Sequence, residues 1–139
     1  MKSKFKFNGF QIIKSLIERS PVREQGELDI KIIPSGYIVD ESKTFLLKLE
    51  VTVGEKNNRF SANVVTLGIF EFEDIIKSEN IDSYFYINAP AILFPYIRAY
   101  ISALTTLSGL EAINIPVMNL TFLEKILKEN TKLGPPVKD

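Results

Sequence analysis

The stretch NAPAILFPYIRAYISALTTLSGL, Asn88 to Leu110, carries a single charge at Arg98 and prolines at 90 and 95. No other feature limits the fold of this chain as strongly. A membrane-spanning helix needs about 20 predominantly apolar residues in succession. Arg98, both prolines, Ser102, Thr105, Thr106 and Ser108 interrupt the run, so no direct membrane insertion is expected. What remains is a helix inside a protein. Proline in a helix interior removes a hydrogen bond and clashes with the preceding turn. That predicts a start near Leu93, with Pro95 in the first turn and Asn88-Ala89-Pro90 as the turn leading in. The helix then runs to Ser108, with Gly109 as the residue that stops it.

Ile97, Ile101 and Leu104 lie along one face of this helix, and Tyr96, Ala99, Tyr100, Ala103 and Leu107 cover much of the rest. A helix apolar nearly all round must be covered on two sides. A small sheet covers one of them. Tyr96, Ala99, Tyr100, Ala103 and Leu107 are therefore expected to meet another subunit, where the small residues Ala99, Ser102 and Ala103 permit close approach. A homotetramer built from dimers is the expected assembly.

Upstream, from Phe5 to about Phe72, the pattern is that of strands. TFLLKLEVTVG alternates Leu47, Leu49, Val51 and Val53 with Lys48, Glu50 and Thr52, as a half-buried strand does. ELDIKIIPSGYIVD places Leu28, Ile30 and Ile32 on one side and breaks at Pro34-Ser35-Gly36, and EKNNR reads as a hairpin turn before FSANVVTLGIFEFE. Short connections favour antiparallel pairing. Strands followed by helices make an α+β layer arrangement. Past the first helix, LEAINIPVMNL reads as an extended linker, and a second helix is expected from Asn119, as N-cap, to about Asn130. At 139 residues the chain is expected to form a single domain over 1–132 with a flexible tail at 133–139.

Composition removes several function classes. There is no histidine and no cysteine, so disulfides, thiol nucleophiles, Cys/His zinc sites and the usual general base are absent. Lys+Arg and Asp+Glu both total 17, and a neutral chain has no global field for nucleic acid. The first residues contain no apolar core of a signal peptide, and a cytoplasmic protein is expected. Glu71, Glu73 and Asp74 in IFEFED alternate with Phe70 and Phe72, which describes a strand with one wet face. No glycine-rich phosphate loop occurs. No catalytic residue, no metal and no cofactor is expected.

NAPAILFPYIRAYISAL and, downstream, INIPVMNLTFL resemble the corresponding part of the SecB protein-export chaperones. In that family an ILFPY-R run, here Ile92 to Arg98, opens the long helix, and a -PV- linker leads into the second. LKLEVTV and LGIF extend the resemblance over about Phe45 to Leu127. It implies a four-stranded antiparallel sheet with two C-terminal helices packed on one face, assembled as a dimer of dimers. It also implies binding of unfolded or precursor polypeptides without ATP, for delivery to the SecA motor. Family members that dock on SecA present carboxylates just after the first strand and on the last one. Here Arg19 and Arg23 stand near the first positions, beside Glu18 and Glu24, and Ser61 and Asn63 stand where a Leu and a Glu would be expected. Holding of clients is thus better supported than delivery to SecA. An antitoxin in a toxin–antitoxin–chaperone system is an equally fitting client.

Ile113, Ile115 and Val117 alternate in the linker. Ordinary core at a sheet edge is one reading. The other is an apolar groove for unfolded chains, with Tyr37, Ile38 and Phe72 as further walls. An ATP-independent holdase and an oligomeric module dedicated to one partner are the two functions carried forward.

Overall fold

The computed structural model describes residues 4–21, 26–39, 41–57 and 59–134, with Ser78 described by its backbone alone. Four long strands come first: β1 (Phe5–Arg19), β2 (Leu28–Ile38), β3 (Thr44–Glu55) and β4 (Phe60–Phe72). A 3-10 turn at Ser78–Asn80 leads to α1 (Ser83–Leu107), and after the linker come α2 (Leu123–Glu129) and a short β5 (Thr131–Leu133). The sheet order is β1-β4-β3-β2-β5.

The four long strands pair antiparallel, as the short connections predict. The fifth strand corrects the expectation of a four-stranded antiparallel sheet. β5 pairs parallel with the outer side of β2, Gly36 against Thr131 and Ile38 against Leu133, and makes the sheet mixed. The cause is local to the end of α2. The Asn130 side chain donates to the Pro34 carbonyl (3.1 Å), and its main-chain oxygen accepts from Gly36 N–H (3.1 Å). The chain leaves the helix already aligned with the strand edge. Of the expected tail, Leu133 pairs with Ile38 and Gly134 N–H donates to the Ile38 carbonyl (2.9 Å), and 135–139 lie outside the described residues.

β3 is the sheet's centre. Phe45, Leu47, Leu49, Val51 and Val53 are all fully buried on its core face. Both main-chain sides of β3 are bonded, to β2 and to β4. β1 is interrupted twice in register, between Phe7 and Phe10 and between Ile12 and Lys14. At the first irregularity Gly9 takes φ +102, a conformation that glycine adopts without steric cost.

α1 corrects a second expectation. It begins at Ser83, ten residues before Leu93, and holds Pro90 and Pro95 inside it; Asn88-Ala89-Pro90 is helix, not a turn. Asp82 caps it, its side chain accepting from Phe85 N–H (3.2 Å). An interior proline costs about 3 kcal/mol. The early turns offset this by what they bury. Phe85 meets the rings of Phe5, Phe45, Phe70, Phe72 and Tyr86 at centroid separations of 4.6–5.9 Å. Burying one such ring contributes about 1.5–3 kcal/mol, and each aromatic pair about 0.5–1.5 more. The C-terminal end agrees with the sequence: Ser108 is the C-cap, and Gly109 follows at φ +88.

α2 is shorter than expected, starting at Leu123 with Phe122 at the N-cap. Asn119 instead closes a local turn, its side chain accepting from Thr121 N–H (3.0 Å). The core lies between one sheet face and the helices. It is built from β3 and β4 side chains with Phe85, Ala89, Leu93, Ile97 and Ile101 of α1 and Leu123 and Leu127 of α2.

Candidate functional site

The linker from Leu110 to Phe122 has no strand partner, so its position depends on individual bonds. Thr105, fully buried on α1, supplies the decisive one. Its hydroxyl donates within the helix towards the Ile101 and Ser102 carbonyls (2.9 and 3.0 Å) and accepts from Ile113 N–H (2.9 Å). Ser102 and Asn114 meet side chain to side chain at 3.3 Å. These contacts press the first half of the linker onto the C-terminal half of α1.

The alternating linker residues separate accordingly. Ile113 and Ile115 are 8% and 5% exposed and join the core, whereas Val117 is 83% exposed. Tyr37, Ile38 and Phe72 are buried as well. Phe72 lies in the aromatic cluster beside Phe5 and Phe85. Ile38, Phe72, Ile113 and Ile115 share one core, and Tyr37 faces the other side of β2, paired with Leu46 and Lys132. An open groove walled by these five side chains is therefore not what the structure presents. Ile113 and Ile115 of the linker fold into the core instead of bordering a groove.

The exposed apolar residues around this region were not singled out by the sequence. Phe122 and Ile126, four apart across the start of α2, are both exposed, and Leu133 on β5 is 68% exposed. Apolar spacing shows only that residues share a face, not which face is covered.

The candidate interface residues fall on the outer side of α1. Tyr96, Ala99 and Ala103 are exposed, Tyr100 is half-buried, and Leu107 is 85% exposed. Tyr96 also packs on Phe7 and Phe10 of β1, at centroid separations of 5.5 and 5.0 Å. This continues the apolar surface from helix to strand.

The positions compared with SecA docking are occupied by local contacts. Arg19 donates to the Ser108 carbonyl (3.2 Å), and Asn63 donates to Glu50 and Thr52 (3.0 and 2.9 Å) on the helix-free face of the sheet. Ser61 is half-buried on that face, and Arg23 and Glu24 lie outside the described residues. Glu71 accepts from Asn8 (2.7 Å) and, with Glu73, borders a cleft that Lys4, Lys6 and Lys43 also line. Among the described residues no group of three or more acidic side chains is placed to hold a metal. No described helix is long and apolar enough to cross a membrane.

Buried Glu55 and half-buried Arg59 form a charged pair. Glu55 takes two bonds from the Arg59 guanidinium, one of them 3.0 Å, and a third from Gly26 N–H (2.8 Å). The Arg59 bonds hold its carboxyl below the usual range against the opposing effect of burial. Tyr86 moves the other way. Burial pushes its phenol up, and a bond to Thr131 of β5 opposes the shift.

The model of the family described as "Preprotein translocase subunit SecB" matches residues 18–126. That span includes β2 to β4, all of α1, the linker and half of α2. The chain belongs to the SecB family. A protein-export protein SecB of Azoarcus sp. is 27% identical over 104 residues, 73% of this chain and 68% of that protein. An uncharacterized protein of Methanocaldococcus jannaschii is 28% identical over 103 residues, 69% of this chain and 66% of that one. The chain thus matches about two thirds of the length of these relatives. Among solved structures, the Mycobacterium tuberculosis SecB-like chaperone Rv1957, in complex with a ChAD peptide from the HigA1 antitoxin, superposes with TM-score 0.70. It is 16% identical, and the match covers 82% of this chain and 87% of that one. This likeness establishes the SecB-like α+β fold with two helices.

Proposed function

We propose that this chain is an ATP-independent holdase that binds non-native polypeptides as a homotetramer. The observation that carries this reading is SecB family membership over 18–126, a span holding the linker and the apolar outer face of α1. Clients are expected to settle first on the exposed Val117, Phe122 and Ile126. Where the linker lifts from α1, Ile113 and Ile115 would add to the surface. Each apolar side chain a client buries contributes about 1.5–3 kcal/mol. Apolar contact is non-directional, so many sequences bind, each at moderate affinity.

Assembly follows from α1. Tyr96, Ala99, Tyr100, Ala103 and Leu107 form an apolar face that a second copy of the chain would cover. Light scattering is expected to give a tetramer. Ala103→Glu should split it, because an unpaired carboxylate in such an interface is strongly unfavourable. A monodisperse wild-type monomer at micromolar concentration would overturn this assembly.

The direct test of function is the aggregation of a chemically denatured protein diluted into buffer without nucleotide. The holdase suppresses it near stoichiometric amounts; no suppression sinks the reading. A second reading, a module dedicated to one partner such as an antitoxin, is favoured by Arg19, Ser61 and Asn63 standing where SecA-docking family members differ. It also draws on the antitoxin peptide held by the Mycobacterium tuberculosis structure. Weak or absent binding to SecA is expected. Mass spectrometry of co-purified polypeptides separates the two readings: many precursors, or one protein.

A further inference from the structure

Two arginines of the sheet meet the end of α1 and the start of the linker. Arg19 closes β1 and stands opposite Phe60 of β4, and Ser20 N–H donates to the Arg59 carbonyl (2.9 Å). Both therefore lie at the end of the sheet where β1 stops and the chain turns from β3 into β4. A helix leaves its last carbonyls without partners inside the helix. At the end of α1 two of these are met locally. Leu110 N–H and the Ser108 hydroxyl donate to the Thr105 carbonyl, and Gly109 N–H donates to that of Thr106. The Ser108 carbonyl accepts instead from the Arg19 guanidinium (3.2 Å). α1 has no basic residue in its own last turn, so Arg19 supplies the cation that a helix C-terminus favours. A carboxylate at position 19 would have no N–H to donate and the wrong charge for that terminus. Arg59 acts one step further along the chain. Glu55 holds its guanidinium, and Glu111 of the linker is near enough to favour its charge.

We propose that Arg19 and Arg59 are positioning residues that brace the start of the linker against the sheet and set how readily Ile113 and Ile115 leave the core. The proposal rests on the holdase reading and adds a control that lies outside the apolar surface itself. Ile113 and Ile115 are buried, so a client reaches them only in the fraction of molecules whose linker has lifted. Apparent affinity scales with that fraction. Lifting must break the bond from Ile113 N–H to the Thr105 hydroxyl. While Arg19 holds Ser108 and Arg59 attracts Glu111, only Ala112 separates the fastened stretch from Ile113. The whole bend then falls on one residue. Releasing either arginine lengthens the stretch that moves, and the bend spreads over several residues. Arg19 is exposed, so its share of the brace is screened by salt.

The experiment uses the full chain, with hydrogen exchange of single amides followed by NMR and peptide binding followed by fluorescence anisotropy. The probe is a short fluorescein-labelled peptide of alternating apolar and polar residues. Arg19→Met keeps an unbranched apolar stem but removes the donors and the charge. Exchange at the Ile113 amide should quicken about fivefold, the size expected for one exposed hydrogen bond from a charged group. The peptide should bind about fivefold more tightly, and β3 amides should not change. Arg19→Lys restores a donor and the charge, and should reverse most of both effects. Glu111→Gln removes the attraction to Arg59 without touching Glu55, and should move both readouts the same way by about twofold. In about 1 M sodium chloride wild type should approach Arg19→Met. If Ile113 exchanges alike in wild type and Arg19→Met, or quickens with no change in peptide affinity, the brace is overturned and the holdase reading stands. An equal quickening in β3 overturns it too, because the arginine then supports the whole fold. If no peptide binds wild type or variant and aggregation is not suppressed, both fail.

Discussion

β3 and the linker are both extended, and both alternate apolar with other residues, yet they fold to different ends. In β3 the alternation holds for the whole element: Phe45, Leu47, Leu49, Val51 and Val53 are buried without exception. In the linker it holds for Ile113 and Ile115 and fails at Val117, which faces solvent. The difference lies in the backbone. β3 is bonded on both sides by β2 and β4, so each residue's pitch is set by two ladders. The linker has no ladder and is held at Ile113 by one threonine hydroxyl. Beyond Pro116, with no N–H to offer, nothing maintains the alternation. A period of two means burial on one side only where main-chain partners enforce it.

The largest effect that would break this comparison is expected at Ile115. If the first half of the linker is as much core as β3, Ile115→Asp loses a buried branched side chain, at about 2–5 kcal/mol. It also buries a carboxylate with no partner. The variant should lose cooperative unfolding or melt far below wild type. A near-unchanged melt, with client holding lost, would show instead that Ile115 faces a groove in solution.

Next in size is the anchor itself. Thr105→Val keeps the shape but leaves the buried Ile113 N–H without an acceptor, a loss of about 1–3 kcal/mol. Urea denaturation measures it, and Thr105→Ser, which keeps the hydroxyl, should recover most of the stability. If Thr105→Val matches wild type, the linker is held elsewhere.

How far the sequence foretold these regions follows from the same distinction. β3, its antiparallel return in β4 and the Gly109 stop were legible because their signals are local. The start of α1 was not: Pro90 reads as a breaker, and only distant residues (Phe5, Phe45, Phe70 and Phe72 around Phe85) overrule it. β5 was invisible for a related reason. Thr131-Lys132-Leu133 has no periodicity, and its strand exists only against the edge of β2. The exposed outer stripe of α1, Tyr96, Ala99, Tyr100, Ala103 and Leu107, was legible as a second apolar face. Ile113, Ile115 and Val117 were legible as apolar, but nothing local says that the first two fold into the core and the third does not. The Glu55–Arg59 pair bridges a turn and fastens Gly26, a contact no neighbouring residue announces.

That pair yields a smaller, pH-dependent effect at the far end of β3. The Arg59 bonds hold the Glu55 carboxyl below its usual range. Its contribution is therefore present above the ordinary carboxylate pKa and lost as pH falls through the lowered value. Glu55→Gln should lower the urea midpoint at pH 7, and the gap to wild type should narrow as pH falls below the ordinary carboxylate pKa and through the lowered one. A gap that stays constant across that range would mean the pair is not formed in solution.

The smallest effect on stability and the sharpest on function are expected together, at Val117. Its side chain is exposed in the folded chain, so Val117→Asp changes nothing that folding depends on. Substitutions at such positions usually stay within about 0.5 kcal/mol of wild type. A bound client changes that environment. If its apolar side chains cover Val117, the new carboxylate loses water without gaining a partner, and binding weakens. Val117→Asp should thus keep its melting temperature and its assembly while suppressing aggregation less well than wild type. Placed beside Ile115→Asp, it divides the linker into a half that holds the fold and a half that holds the client. If Val117→Asp suppresses aggregation as well as wild type, clients do not use the exposed half of the linker. The binding surface then lies with Phe122 and Ile126.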